Sequence, residues 1–180
     1  TVATLLYNLF KGMNKKAGLL STVANCIDEA VIASTHTTPD ALQLNSLLSQ
    51  MVSMGCRYCF MEVSSHAIQQ NRVAGIEFTG AVFTNITHDH MDYHKTFKEY
   101  ISVKKRLFDQ LSSNAFALSN KDDKHGKVML QNTKARKSMY SKRSMAEFKC
   151  KVIENRFSGL ELTIDGNNVW TKLIGDFNAY

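Results

Sequence analysis

From residue 1 to 16 apolar side chains recur at three- and four-residue intervals, at Val2, Leu5, Leu6, Leu9, Phe10 and Met13. That spacing predicts an amphipathic helix ending at Lys15, Lys16 and Gly18. Residues 17–23 and 29–34 read as short strands. A second helix is expected over 39–54, with Pro39 in its first turn and Leu42, Leu44, Leu47, Leu48, Met51 and Val52 as its apolar face. The pattern then changes, because 57–63 and 80–86 are near-continuous apolar runs of the kind found in strands covered on both faces. Thr96-Phe97-Lys98-Glu99 is a capping box that opens a helix reaching Leu111, with Phe97, Tyr100, Ile101, Phe108 and Leu111 as its stripe. Residues 115–119 form a further predicted strand, and 128–131 lie in a short helix. Beyond Lys137 strands dominate, at 148–152, 160–164 and 169–174, with Asp165-Gly166-Asn167-Asn168 as a hairpin turn. The fold class expected is α/β, a mostly parallel sheet flanked by helices, with a small antiparallel β flap near the C-terminus.

Composition narrows the picture. The 180 residues are 44% hydrophobic with a single proline, enough for one core and unlike disordered or collagen-like chains. Apolar runs fall far short of the ~20 residues that span a bilayer, and no basic-then-apolar signal opens the chain. A soluble, cytoplasmic protein with no membrane partner is expected. The net charge of +6 is local: residues 121–151 hold ten Lys and Arg against Asp122, Asp123 and Glu147, so that stretch carries +7 and the remainder −1. It lacks a run of aromatic stacking residues, so it reads as a solvated face with no nucleic-acid partner. Cys56-Arg57-Tyr58-Cys59 resembles half a zinc site, but no second pair follows at zinc spacing. With Cys26 and Cys150, these are expected to be free thiols, the pair buried in a strand.

The chemistry gathers where the two apolar runs end. Glu62-Val63-Ser64-Ser65-His66 closes the first, and Thr84-Asn85 through His88-Asp89-His90 closes the second. In open α/β sheets ligands bind beyond the carboxyl ends of strands, so the two endings are expected to share a crevice. His88, Asp89, His90, Asp92 and His94 are dense in metal-binding atoms, and an oxygen ligand such as Glu62 suits Mg²⁺ better than zinc. Thr37, Thr38, Ser64 and Ser65 add hydroxyls, while Arg72 offers a bidentate donor for a carboxylate or phosphate. Lys104 falls in the middle of an apolar stripe, where it must snorkel, lose its charge or be compensated. Lys105 and Arg106 turn towards the flank. From the residues alone, this is an α/β domain with a cation site and an anionic ligand.

His36-Thr37-Thr38-Pro39, Glu62-Val63-Ser64-Ser65-His66 with Gln70 and Arg72, His88-Asp89-His90-Met91-Asp92-Tyr93-His94, and Tyr100 with Lys104 together resemble the ATP-dependent Mur ligases of peptidoglycan synthesis. The likeness is greatest to the branch that adds the third stem-peptide residue, and it covers residues 1–180 as the family's central, P-loop NTPase-like domain. The resemblance implies an enzyme that joins a diamino acid, meso-diaminopimelate or L-lysine, to UDP-N-acetylmuramoyl-L-alanyl-D-glutamate through an acyl phosphate. ATP and Mg²⁺ are the implied cofactors. Glu62, His90 and Lys104, the last carboxylated by CO₂, are the implied Mg²⁺ ligands, and Lys104 and His90 the catalytic pair. Thr37, Thr38, Ser64, Gln70 and Arg72 would hold the muramoyl-peptide, and Asn178 would touch adenine. Asp89 and His94 would shape their loop.

The family's Gly-Thr-Asn-Gly-Lys-Thr-Thr phosphate loop would end at Thr1, so the chain is expected to be an excised central domain, inactive alone and without its flanking domains. Two rivals stand beside this reading. One is a non-catalytic zinc- or nucleic-acid-binding module, and the other a related ligase such as folylpolyglutamate synthetase.

Overall fold

The computed structural model describes residues 1–34, 36–89 and 92–180, and the chain divides into two compact units, Thr1–Ile76 and Glu77–Tyr180. In the first unit the opening stripe forms α1 (Val2–Gly12). Ala3 and Tyr7 are its buried positions, and Phe10 sets its ring edge against Tyr58 and Phe60 at 4.7 and 4.9 Å. Val2, Leu5, Leu9 and Met13 are exposed, so the face that packs is rotated from the one the apolar spacing predicted.

Three strands follow where two were expected: β1 (Ala17–Leu20), β2 (Ala24–Ile27) and β3 (Ala30–Ala33). Two local devices make the extra reversals. The Ser21 hydroxyl donates to Ala24 O at 2.8 Å, closing a side-chain turn, and Asp28 takes φ +52°, a left-handed conformation that Asp tolerates.

Helix α2 (Ala41–Ser53) starts one residue past Asp40, whose carboxylate accepts from the Leu42 and Gln43 amides at 2.9 Å each. Pro39 therefore precedes the helix and is not in its first turn. Leu44, Leu47 and Met51 are buried, whereas Leu42 is 87% and Val52 73% exposed. Met51 packs closely on β1: a Cβ at Gly18 would lie 2.3 Å from its sulfur.

β4 (Tyr58–Met61) runs parallel to β1 in a sheet of order β3-β2-β1-β4, and α3 (Ser65–Gln69) follows it. Among the described residues β4 pairs with β1 alone, and Tyr58 and Cys59 are exposed while Cys56 is half-buried. The expected coverage on both faces, and the buried thiol pair with it, are thus corrected. All four cysteines are free.

The second unit is a six-stranded sheet in the order β10-β9-β8-β7-β6-β5. β5 (Gly80–Phe83), β6 (Phe116–Asn120), β7 (Arg136–Ser141) and the start of β8 (Phe148–Arg156) are parallel; β9 (Gly159–Ile164) and β10 (Asn167–Thr171) add the antiparallel flap. The fold is mixed α/β, with this sheet largely parallel and flanked by helices. Among the described residues β5 likewise pairs with β6 alone, and it alternates, Ala81 and Phe83 buried and Val82 exposed, in place of the two covered faces expected.

α4 (Phe97–Asp109) contributes Tyr100 and Phe108 to a core shared with Phe83, Ile86, Leu111, Ala117 and Met129, the last from α5 (Gly126–Met129). Val103, absent from the predicted stripe, is buried as well. In the flap, Asp165 and Gly166 take φ +48° and +86°, the two left-handed residues that a tight hairpin turn needs. β10 starts at Asn167, two residues before the predicted strand, because two residues suffice to close that turn. A 3₁₀ turn, η1 (Asp176–Ala179), closes the chain. Among the described residues no helix is long and apolar enough to cross a membrane.

Candidate functional site

In the first unit, β1 and β4 end side by side, Leu20 opposite Met61, which brings the residues just past each strand together. Glu62 Oε2 accepts from the Thr22 hydroxyl at 2.8 Å and the Thr22 amide at 3.2 Å, while Oε1 accepts from the Thr1 amino group at 2.8 Å. Thr37 Oγ1 lies 3.1 Å from Thr22 Oγ1, at the rim of this carboxylate.

The neighbouring loop is fastened from within. Thr38 is buried; its hydroxyl donates to Glu62 O at 2.9 Å and accepts from the Ser64 amide at 3.1 Å. Arg72 donates to Thr38 O at 2.8 Å from Nη1, and to Gln70 Oε1 at 2.9 and 2.6 Å from Nε and Nη2. Three of its five N–H groups are thereby set in one plane around Gln70 and the loop. The Ser64 hydroxyl caps α3 by accepting from the Ala67 amide at 3.1 Å. Beside them opens a cavity of about 320 Å³ lined by His36, Asp40, Ala41, Gln70 and Arg72. A guanidinium oriented by Gln70 at the wall of this cavity is a donor for an anionic ligand.

In the second unit α4 presents Lys104. Its ammonium is half-buried and stands 5.3 Å from the centroid of the Tyr100 ring. Burial lowers its pKa from the ordinary lysine value, and the Asp89 carboxylate partly offsets that effect. Lys105, one residue on, is instead paired with Asp109 at 2.5 and 2.7 Å. His88 stacks on Phe97 with ring centroids 4.1 Å apart, and His94 is buried, stacked on Tyr100 at 5.0 Å. His94 therefore serves the core of its loop. Asn178 lies on η1 and donates to Ile174 O at 2.8 Å. That turn is tethered by Lys142, which pairs with Asp176 and stands 4.8 Å over the Tyr180 ring.

The profile described as "Mur ligase middle domain" matches residues 1–180. The chain belongs to the Mur ligase middle-domain family. The UDP-N-acetylmuramoyl-L-alanyl-D-glutamate–2,6-diaminopimelate ligase of Cytophaga hutchinsonii is 57% identical over 180 residues, and that of Parabacteroides distasonis 54% over 180. In each case the match takes in 100% of this chain and 37% of the relative, so the chain spans little more than a third of the length of these curated proteins. A solved structure of a UDP-N-acetylmuramoyl-L-alanyl-D-glutamate–2,6-diaminopimelate ligase superposes with a TM-score of 0.84 at 27% identity, over 99% of this chain and 38% of that one.

Within this Mur ligase middle domain, the residues singled out by sequence fall into two sets. Thr37, Thr38, Glu62, Ser64, Gln70 and Arg72 gather at the end of β4 in the first unit. Lys104 and Asn178 belong to the second, on α4 and η1, and His90 lies outside the described residues. The Thr38 hydroxyl is bonded to the backbone of Glu62 and Ser64, and the Ser64 hydroxyl accepts from the Ala67 amide.

Sequence reasoning missed Thr22, the hydroxyl beside Glu62, because residues 17–23 were read as one strand. It also missed Asn120, and it counted Asp122 and Asp123 only as charges. Asp122 accepts from the Ser141 hydroxyl at 2.7 Å and from the Lys142 and Arg143 amides at 2.8 and 2.9 Å. Against the upward pull of burial, these bonds lower its carboxyl to about 2. The available signal was position: a strand ending in Asn-Lys-Asp-Asp, the same carboxyl-end placement that drew attention to Glu62.

Proposed function

We propose that this chain is the central, ATP-binding domain of a longer cytoplasmic ligase that adds 2,6-diaminopimelate to UDP-N-acetylmuramoyl-L-alanyl-D-glutamate, a step of peptidoglycan synthesis. The observation that carries the reading is end-to-end likeness to ligases of that name, at 57% identity over all 180 residues. The local geometry supports it. Gln70 and Arg72 line a cavity with His36, Asp40 and Ala41, Thr37 stands at the rim of the Glu62 carboxylate, and with Thr38 and Ser64 these residues are assigned to hold the muramoyl-peptide. Asn178 is assigned to the adenine end of ATP. The alternative of a zinc- or nucleic-acid-binding module has no comparable support.

The donor set also suits Mg²⁺. Glu62 is a carboxylate past the end of β4, flanked by the Thr22 hydroxyl at 2.8 Å. Mg²⁺ is commonly held by one or two carboxylates together with substrate phosphates. Glu62, His90 and Lys104 are the residues assigned to hold it. Bound Mg²⁺ supplies positive charge that offsets the crowded phosphate and carboxylate oxygens during acyl-phosphate formation. Lys104 would contribute as a carbamate: its neutral amine attacks CO₂, an N–C bond forms and a proton leaves. Burial favours the neutral amine that this needs.

The test is phosphate release by the full-length protein with ATP, Mg²⁺ and UDP-N-acetylmuramoyl-L-alanyl-D-glutamate, adding diaminopimelate or L-lysine in turn. Release that requires diaminopimelate is expected. A requirement for L-lysine would reassign the amino acid, and silence with both would overturn the reading.

A further inference from the structure

The backbone ladder between β5 and β6 ends at the pair Phe83 and Ser119, yet the chain beyond β5 continues in a defined course towards His88 and Asp89. Side chains from the last residue of β6 and the turn after it take over where the ladder stops. Asn120 Nδ2 donates to Thr84 O at 2.8 Å, and Asp123 Oδ2 accepts from the Ile86 amide at 3.0 Å. Both residues are themselves braced. Asn120 Oδ1 accepts from the Asp122 amide at 2.9 Å, and Asp123 Oδ1 from the His125 amide at 2.7 Å. The Phe97 ring, at the start of α4, stacks on His88 at 4.1 Å and meets His125 edge-on at 5.5 Å. Partly buried backbone groups need partners, and here a carboxylate and an amide provide what a neighbouring strand no longer does. Asp89, further along the same segment, is the carboxylate whose charge partly offsets the effect of burial on Lys104.

We propose that Asn120 and Asp123 are positioning residues for the ligase reaction: by extending the β5–β6 ladder with side-chain hydrogen bonds, they set where residues 84–89 stand relative to Lys104. The role rests on the function proposed above, because it matters only if that segment borders the Mg²⁺ site. Residues that orient metal-binding groups typically alter metal affinity or activity by about 10–100-fold when removed. A side chain that merely supports the fold lowers the folded fraction and leaves the metal requirement of the remaining molecules unchanged.

The experiment uses the full-length protein and its Asp123→Ala, Asp123→Asn and Asn120→Ala variants, with two measurements. The first is the Mg²⁺ concentration for half-maximal phosphate release. The second is amide hydrogen exchange at Ile86 against the amides of β6. For Asp123→Ala the expected result is a rise of about tenfold or more in half-saturating Mg²⁺, with most of kcat recovered at saturation, and faster exchange at Ile86 with β6 unchanged.

Asp123→Asn keeps one acceptor oxygen and should fall between wild type and Asp123→Ala; with Asn120→Ala it carries the test if Asp123→Ala does not fold. An unchanged Mg²⁺ requirement, or unchanged exchange at Ile86, overturns the proposal. Should the wild-type protein show no ligase turnover, the function proposed above fails on its own. Mn²⁺ affinity read by electron paramagnetic resonance then replaces the first measurement: weaker binding in the variants supports the positioning role and equal binding overturns it.

Discussion

The two units solve the same local problem, a sheet with polar loops past its strand ends, with different materials. The first unit rests on three antiparallel strands and one parallel strand of four residues each, and its two long helices bury narrow faces: Ala3 and Tyr7 on α1, and Leu44, Leu47 and Met51 on α2. Leu42 and Val52 point to solvent, as do Leu5 and Leu9. Its loops are latched by the Thr38 hydroxyl and the Arg72 guanidinium, and by the Glu62 carboxylate bonded to Thr22. The second unit has a continuous core around Phe83, Tyr100, Phe108 and Met129, and it latches its loops with carboxylates, Asp122 and Asp123. The difference teaches that an apolar stripe promises a covered helix face without saying how wide the cover is. Width depends on the sheet beneath.

Removing core volume should produce the largest contrast. Phe108→Ala is expected to destabilise the second unit by about 4 kcal/mol, as large-to-small changes at fully packed aromatics do, measured by denaturant unfolding with exchange as a local readout. A loss below about 1 kcal/mol would mean that the core cluster is not continuous. Leu44→Ala should cost about 3 kcal/mol in the first unit, while Leu42→Ala, two residues away on the same helix, should stay within about 0.5 kcal/mol. Equal effects of the two would erase the distinction between buried and exposed halves of the stripe.

Lys104→Ala should lower turnover of the full-length protein by about 100-fold, the scale of removing one electrostatic contact to a reacting group. Lys105→Ala, which loses only the ion pair to Asp109, should change turnover less than about threefold. Comparable losses in both would place the function of α4 elsewhere than at Lys104. Thr38→Val, nearly isosteric, leaves the Ser64 amide without its acceptor and Glu62 O without its donor. About 2 kcal/mol of stability is expected to be lost.

The smallest effect concerns pH. Asp122 titrates at about 2 in the folded chain and near 3.9 unfolded, so its contribution is complete above about pH 4 and vanishes as pH falls towards 2. Solvent screening limits the contribution to about 1 kcal/mol. Asp122→Asn should flatten the acid limb of the stability profile by that amount, and a profile unchanged by the substitution would assign the acid sensitivity to other carboxylates.

Much of this was legible along the chain. The α4 capping signal was local: the Thr96 hydroxyl accepts from the Glu99 amide at 3.1 Å, and Glu99 reaches back to the Lys95 amide, one residue before the cap. The Asp165-Gly166 turn was equally local, and both were read correctly. Glu62, Ser64 and Arg72 were found as a group because strand ends concentrate polar chemistry. β2 was not found, since a hydroxyl turn at Ser21 and a left-handed Asp28 lack the Gly or Pro that usually marks a reversal. Cys59 was misplaced because β4 is apolar along its length, and an exposed strand face and a covered one can share that composition.

The order of residues by itself determined the capped helix and which side chains could bind an anion or a cation, because those are properties of residue type and spacing; the family came from the resemblance of whole motifs and from the profile match over residues 1–180. Only the tertiary structure decided which face of α1 and α2 is buried, that the Thr38 hydroxyl is bonded to the backbone of Glu62 and Ser64, and that Asn120 and Asp123 extend a sheet where its backbone ladder stops. Those outcomes depend on what stands opposite each side chain. Partners that meet across a sheet come from positions far apart in the chain, and periodicity along one segment carries no information about them.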